Sequence, residues 1–306
     1  MRKVVSYFKC FGFKETVKKI FRYISIKFKT DSNGNYRFSK KEKKHIIFGS
    51  SLKDYDKSIF NNNISIVVLN YNNMNVIGKC IDSLIKYGKN YNYEIVVVDN
   101  GSSDGSFEFI KNNYDKKVKL IKNNKNGCSS GRNLGVKNCT KDYIMFLDSD
   151  QFALSKNWLD IYLKIFTTYP DIGAIGWAAG WFDKNGYSYY TVDNFEYRYM
   201  PKPAIARCDI GYLGSGGMFL RKDLFDKIGG FDEMYDPTCY EDTDLSLKIR
   251  NVNKEIYYCS YLDIEHKAHQ TTKSGSENHK KLIEEKGNYF VNKWEKKNPK
   301  LLNYRK

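Results

Sequence analysis

From residue 64 onward, short continuous apolar runs alternate with segments whose apolar positions recur at helical spacing. Ile64-Ser65-Ile66-Val67-Val68-Leu69 is a β-branched run of the type that forms a buried strand. After Asn70-Tyr71-Asn72, the apolar residues Ile77, Cys80, Ile81, Leu84 and Ile85 fall at i, i+3, i+4, i+7 and i+8, which predicts a helix. The cycle repeats with a strand at Glu94–Val98 and a helix at Phe107–Ile110, then a strand at Val118–Ile121 and a helix near Gly131–Val136. A fourth strand is expected at Tyr143–Leu147. Consecutive strand–helix units predict an α/β fold with a mainly parallel, Rossmann-like sheet joined by right-handed crossovers. In such sheets ligands bind beyond the carboxyl ends of the strands, so chemistry is expected in the polar segments that follow the apolar runs.

The flanks follow other patterns. Residues 1–30 carry nine Lys/Arg against the single Glu15, and Phe13, Val17, Ile20, Phe21 and Ile24 mark one helical face with Lys14, Lys18 and Arg22 between them. Such a basic helix either packs its stripe on the main domain with its lysines in water, or lies on an anionic membrane. Residues 31–62, with Asp31-Ser32-Asn33-Gly34-Asn35 and the Lys40–Lys44 run, form an expected loose connector. The segment Ser276–Lys297, with Tyr289-Phe290 and Lys293-Trp294, predicts a C-terminal helix. The chain thus divides into a basic helical extension and connector (1–62), a central α/β domain (63–270) and a C-terminal helical extension (271–306).

Composition narrows the class. A chain of 306 residues, 41% hydrophobic and 28% charged, is long enough to bury a large core and is not disordered. Its 51 Lys+Arg against 35 Asp+Glu give a net charge of +16, which predicts an anionic partner: nucleic acid, a membrane surface or a phosphate-bearing substrate. Half of that excess lies in residues 1–30, and the aromatics show no recognition-module pattern, so single-stranded nucleic acid is a disfavoured alternative. The seven cysteines are scattered without a CxxC pair, as expected of reduced thiols. No apolar run approaches the roughly 18 residues of a membrane span, and the N-terminus lacks a signal-peptide pattern. A cytoplasmic location is expected, with peripheral contact at the inner face of the membrane open to residues 1–30.

Three polar clusters follow three successive strands: Asn70-Tyr71-Asn72, Asp99-Asn100-Gly101-Ser102-Ser103-Asp104, and Asp148-Ser149-Asp150. The second also suits a turn whose Asp or Ser caps the next helix. In extended chain, Asp148 and Asp150 face one side, where like charges repel unless a cation lies between them. Cysteine-free, oxygen-rich surroundings suit Mg²⁺ or Mn²⁺, and a pair of solvated turn aspartates is the plain alternative.

Six motifs resemble those of the family 2 glycosyltransferases, in family order over about residues 63–270: VVLNYN (67–72), VVVDNGSSDGS (96–106), NNKNGCSSGRNLGVKN (123–138), FLDSD (146–150), GSGGMFLRKDLFDKIGGFDE (214–233) and YEDTDLSLKIR (240–250). The resemblance implies a GT-A fold, a nucleotide-diphosphate-sugar donor, a divalent cation (Mn²⁺ or Mg²⁺) and inversion at the anomeric carbon. It extends to bacterial members that build cell-surface polysaccharide, including rhamnosyl-like ones. A UDP-sugar is the expected donor and a dTDP-sugar the second choice. The acceptor is a hydroxyl of a glycan, a lipid-linked glycan or a protein such as flagellin.

Carried over position by position, the resemblance implies that Asn70 and Tyr71 touch the base, and that Asp99 and Asn100 meet base and ribose. Asn100 stands where many members have Asp, which leaves base identity open. Arg132 supplies a fixed cation near the diphosphate. Asp150 is the direct metal ligand and Asp148 lies nearer the ribose or metal waters. His266 completes the metal or phosphate site, with His269 as its rival. Gly214, Gly216 and Gly217 frame donor sugar and acceptor beside Glu241, while Asp242 is the general base and Asp244 faces the following turn. No QxxRW-type sequence follows, so addition of a single sugar is expected. The alternatives are a non-catalytic sugar-nucleotide-binding relative and a nucleotidyltransferase. The latter would carry a glycine-rich basic loop where this chain has Asn70-Tyr71-Asn72-Asn73.

Overall fold

The structure, a computed structural model, describes residues 46–48, 54–192, 205–259, 261–267 and 276–304. The basic helix expected in residues 1–30, most of the connector and His269 lie outside the described residues.

A short edge strand, β1 (Ile46–Phe48), lies within the stretch expected to be loose connector. The four expected strands follow as β2 (Ile64–Asn70), β3 (Glu94–Asp99), β4 (Lys119–Lys122) and β5 (Tyr143–Asp148). Between them run α1 (Met74–Tyr87), α2 (Ser106–Tyr114) and α3 (Cys128–Lys137). These strands pair in parallel in the order β4-β3-β2-β5. Their register sets Asn70 opposite Asp99 and Leu69 opposite Asp148, so all three polar clusters emerge at one end of the sheet.

Beyond β5 come β6 (Gln151–Ala153), α4 (Asp160–Thr168), β7 (Ile172–Gly176), β8 (Ala179–Phe182), β9 (Ser188–Val192), β10 (Ile205–Arg207), β11 (Tyr212–Leu213) and β12 (Phe219–Arg221). They are followed by α5 (Lys222–Lys227), α6 (Glu241–Arg250), β13 (Glu255–Cys259), β14 (Ile264–His266) and α7 (Glu277–Lys297). In the main sheet, β12 inserts antiparallel between β5 and β7, β13 joins β7 in parallel, and β10 and β1 close the edge antiparallel. Two small sheets complete the fold, β6 with β14 and β8 with β9 and β11.

β2 is buried at every position, as a central strand covered on both faces must be. Ile66 and Val68 join Ile77, Cys80, Ile81 and Leu84 of α1 on one face, and Val67 and Leu69 join Val136 of α3 on the other. Gly135 permits the second contact, since a Cβ there would lie 2.5 Å from Val67 Cγ1.

Two differences from the sequence pattern share one cause. The apolar residues of α6 make no single stripe, and the structure buries this helix almost all round, Glu241, Thr243 and Asp244 included. The covering layer is α7, whose Gly287, Phe290, Val291 and Trp294 are buried at i, i+3, i+4 and i+7. Phe290, Val291 and Trp294 form a third apolar cluster with Phe182, Tyr212, Tyr235, Tyr240 and Leu247, so the helix expected as an extension is a layer of the core. Among the described residues no helix is long and apolar enough to cross a membrane, and the six described cysteines are free.

Candidate active site

The chain is not extended through Asp148-Ser149-Asp150. It turns directly after β5, and Asn73 Nδ2 donates to Ser149 Oγ at 2.7 Å to hold that turn. Gln151 Oε1 accepts the Asp148 backbone N–H at 3.0 Å. Because β14 pairs antiparallel with β6, His266 stands opposite Gln151, and its Nε2 lies 3.3 Å from Asp150 Oδ1. One ligand atom from each of Asp148, Asp150 and His266 falls within 4.8 Å of the others. Two carboxylates and an imidazole form a donor set that fits a divalent cation of the Mn²⁺ or Mg²⁺ type.

The loop Gly214–Gly217 crosses in front of this cluster. A Cβ on Gly216 would lie 2.3 Å from Asp148 Oδ2. Gly217 adopts φ +87°, and a Cβ there would meet the Trp177 ring at 2.0 Å. Only glycine satisfies both the left-handed backbone and the close approach. The Trp177 indole donates to Gly216 O at 2.6 Å, and its ring meets His266 edge-on with centroids 5.4 Å apart. Within the same loop, the Ser215 N–H donates to Asp242 Oδ2 at 3.3 Å. The glycine loop thus touches both the Asp-Asp-His cluster, through Gly216, and Asp242, through Ser215.

Glu241 and Asp242 open α6 behind Cys239 and Tyr240, two non-glycine residues at φ +81° and +69°. Positive φ at such residues is held only where surrounding packing imposes it. Burial pushes the Glu241 carboxyl up to about 7, and the neighbouring Asp242 charge adds to the effect. Burial also raises Asp242, against the opposing pull of Arg132 and of its hydrogen bonds to Thr243 and Ser215. Arg132 is itself buried, with Nη2 2.9 Å from Asp148 Oδ1 and Nη1 3.4 Å from Glu241 Oε1. Its charge therefore links the Asp148–Asp150 turn to α6.

The residues expected from sequence to contact a nucleotide also make contacts within the protein. Asn70 is fully buried and donates to Asp99 Oδ2 at 2.9 Å and to Ser106 Oγ at 3.0 Å. Asp99 is also fully buried, and its Oδ1 accepts the Ser102 N–H at 3.0 Å. Asn100 donates to Asn126 Oδ1 at 2.9 Å and accepts from Asn123 at 2.8 Å and from the Gly127 N–H at 3.3 Å. These three side chains build the walls of the strand ends, while Tyr71 and Asp148 are half-buried and keep open surface. Asp244, expected to face the following turn, is fully buried. Sequence reasoning missed Trp177 and Ser215; a tryptophan directly after the apolar run of β7 was the available signal for the first.

Comparison with known proteins locates this geometry. The model of Glycosyl transferase family 2 matches residues 65–229, just over half of the chain. Glycosyltransferase GlyA of Streptococcus pneumoniae serotype 4 is 34% identical over 131 residues, 42% of this chain and 18% of that protein. Poly(ribitol-phosphate) beta-glucosyltransferase of Bacillus spizizenii is 37% identical over 105 residues, 32% of this chain and 16% of that protein. The chain thus spans less than a fifth of the length of either relative. A Haemophilus influenzae protein named an uncharacterized glycosyltransferase is 25% identical over 208 residues, 65% of this chain and 68% of its own. Among solved structures, GalNAc-T7 with UDP, GalNAc and Mn²⁺ superposes with a TM-score of 0.57 at 17% identity, covering 75% of this chain and 48% of that one.

Proposed function

The chain belongs to glycosyl transferase family 2 and has the GT-A fold, and from that premise we propose that it is an inverting, metal-dependent glycosyltransferase. It moves one sugar from a nucleotide-diphosphate donor to an acceptor hydroxyl. The observation that carries this reading is the glycine loop, which touches both the Asp148-Asp150-His266 cluster and Asp242. Inversion needs a base on the side of the sugar opposite the leaving diphosphate, because the acceptor hydroxyl attacks in line and loses its proton as the bond forms. Asp242 is that base, oriented by the Ser215 and Thr243 N–H groups. Glu241 lies beside the donor sugar and acceptor, and Gly216 and Gly217 keep that space clear. Asp150 and His266, with Asp148, would hold a divalent cation, which when bound supplies positive charge against the leaving diphosphate. Tyr71 meets the base, while Asn70, Asp99 and Asn100 shape the nucleotide pocket and Arg132 holds Asp148 in place.

A UDP-sugar is the preferred donor and a dTDP-sugar the second. The acceptor is a surface glycan, a lipid-linked glycan or a protein; the poly(ribitol-phosphate) in one relative's name supports the first. The basic residues 1–30 offer peripheral contact with the inner face of a membrane. Binding to anionic vesicles that falls with salt, and is lost on deleting residues 1–30, would support that contact; binding that survives the deletion would refute it.

Screening the protein with Mn²⁺ against UDP-, GDP- and dTDP-sugars, by donor hydrolysis and thermal shift, tests donor class. Asp242→Asn then tests mechanism. Transfer is expected to fall by about 10²–10⁴ while donor binding stays within about threefold. Transfer at the wild-type rate would move the base elsewhere, with Glu241 the next candidate.

A further inference from the structure

The side of α6 away from the glycine loop carries a charge network that the proposed reaction does not use. Asp244, two residues past Asp242, accepts from the Trp294 indole N–H at 2.7 Å and from the Tyr235 hydroxyl at 3.3 Å. Lys293 Nζ lies 2.8 Å from its Oδ1 and 3.0 Å from its Oδ2. The same ammonium reaches Asp232 Oδ2 at 2.7 Å, where the Tyr289 hydroxyl also donates at 3.1 Å. A fully buried carboxylate is stable only with such donors, and α7 supplies the shortest of them.

The same helix grips the residue just before the carboxylate pair. Tyr240 packs on Phe290 with ring centroids 5.2 Å apart, and a Cβ on Gly287 would stand 3.0 Å from the Tyr240 hydroxyl. Gly287, Phe290 and Trp294 share one face of α7. That face therefore holds residues 240 and 244, which bracket Glu241-Asp242.

We propose that Lys293 and Trp294 are positioning residues for the transfer: through Asp244 the C-terminal helix fixes the first turn of α6, so that Asp242 faces the Gly214–Gly217 loop. This rests on the reading of Asp242 as the base. Without the α7 donors the buried Asp244 charge keeps only the Tyr235 hydroxyl at 3.3 Å and Lys248 Nζ at 3.7 Å, and the turn that shifts to satisfy it carries Asp242 out of line. A displacement of about 1 Å can lower a rate by about 10²-fold.

The test compares Trp294→Phe, Lys293→Met and Lys293→Arg, with the donor selected by the screen and Mn²⁺, following release of that donor's nucleoside diphosphate. Trp294→Phe keeps an aromatic ring and loses the N–H; Lys293→Arg keeps the charge. Trp294→Phe and Lys293→Met are expected to lower kcat by about tenfold or more with the donor KM within about threefold, and Lys293→Arg to recover most of the rate. Circular dichroism melting establishes the folded fraction at the assay temperature. An unchanged kcat in either variant, a loss carried by KM alone, or a loss equal to the unfolded fraction overturns the proposal. Should Trp294→Phe not fold, equal rates for Lys293→Met and Lys293→Arg overturn it. Asp242→Asn separates the two readings. Wild-type transfer in that variant removes the base assignment, whereas its loss beside unaffected α7 variants removes only the positioning role.

Discussion

Replacing Glu241 by Gln should stabilise the metal-free protein at pH 8 and leave it nearly unchanged at pH 4.5. Burial raises the Glu241 carboxyl from 4.5 to about 7, so the fold favours its neutral form. Below pH 4.5 the group is protonated in folded and unfolded chains alike, and no penalty exists. As pH rises from 4.5 to 7 the unfolded chain releases this proton while the folded one retains it, so stability falls; above 7 the loss is complete. A rise of that size corresponds to about 3 kcal/mol at 1.36 kcal/mol per unit. Glutamine keeps the shape and an acceptor for Arg132 but cannot ionise, so the variant lacks this fall. Urea unfolding in EDTA from pH 4.5 to 8 measures it as the difference between the two proteins, in which groups remote from Glu241 cancel and the altered titration of its neighbour Asp242 is included. Asp242 leaves some fall in the variant, because burial raises its carboxyl too. Parallel stability curves for the two proteins would refute the assignment of Glu241 as a buried carboxyl with raised affinity for its proton.

Asp150→Ala should abolish Mn²⁺-dependent UDP binding in isothermal titration, since it removes a carboxylate that lies 3.3 Å from His266 Nε2; equal binding with and without the substitution would exclude the cluster as the metal site. Gly217→Ala should destabilise the protein by about 1–3 kcal/mol in chemical denaturation, through its positive φ and the clash with Trp177, and a neutral effect would contradict the loop geometry.

The parallel half of the sheet was legible because its signals are local. Each strand is a run of apolar residues that period and length distinguish from a helix, and parallel register brings the residues after each run to one edge. The spacing of Ile77, Cys80, Ile81 and Leu84 identified the buried face of α1 without any knowledge of its partner. The α6 pattern failed for a physical reason: a helix covered on nearly all sides has no stripe to display, and its cover is a helix that begins 27 residues after its end.

Motifs located the site's residues, but not what those residues touch. In a one-dimensional motif Asn70, Asp99 and Asn100 are letters without partners, because buried and exposed polar residues are written alike. Packing turns their side chains into the protein. Arg132 has the same ambiguity, and its pairing with Asp148 and Glu241 depends on α3 lying between two loops more than ninety residues apart. The amino-acid sequence by itself determined the family, through the resemblance of its motifs, and the order of the strand–helix units, through short-range periodicity. The resemblance put His266 with Asp150, and the tertiary structure supplied the β14–β6 pairing that brings them together; it alone decided that burial raises the Glu241 carboxyl and that Asp244 belongs to α7. Each of these depends on a distance or a degree of burial set by long-range packing, to which local spacing carries no information.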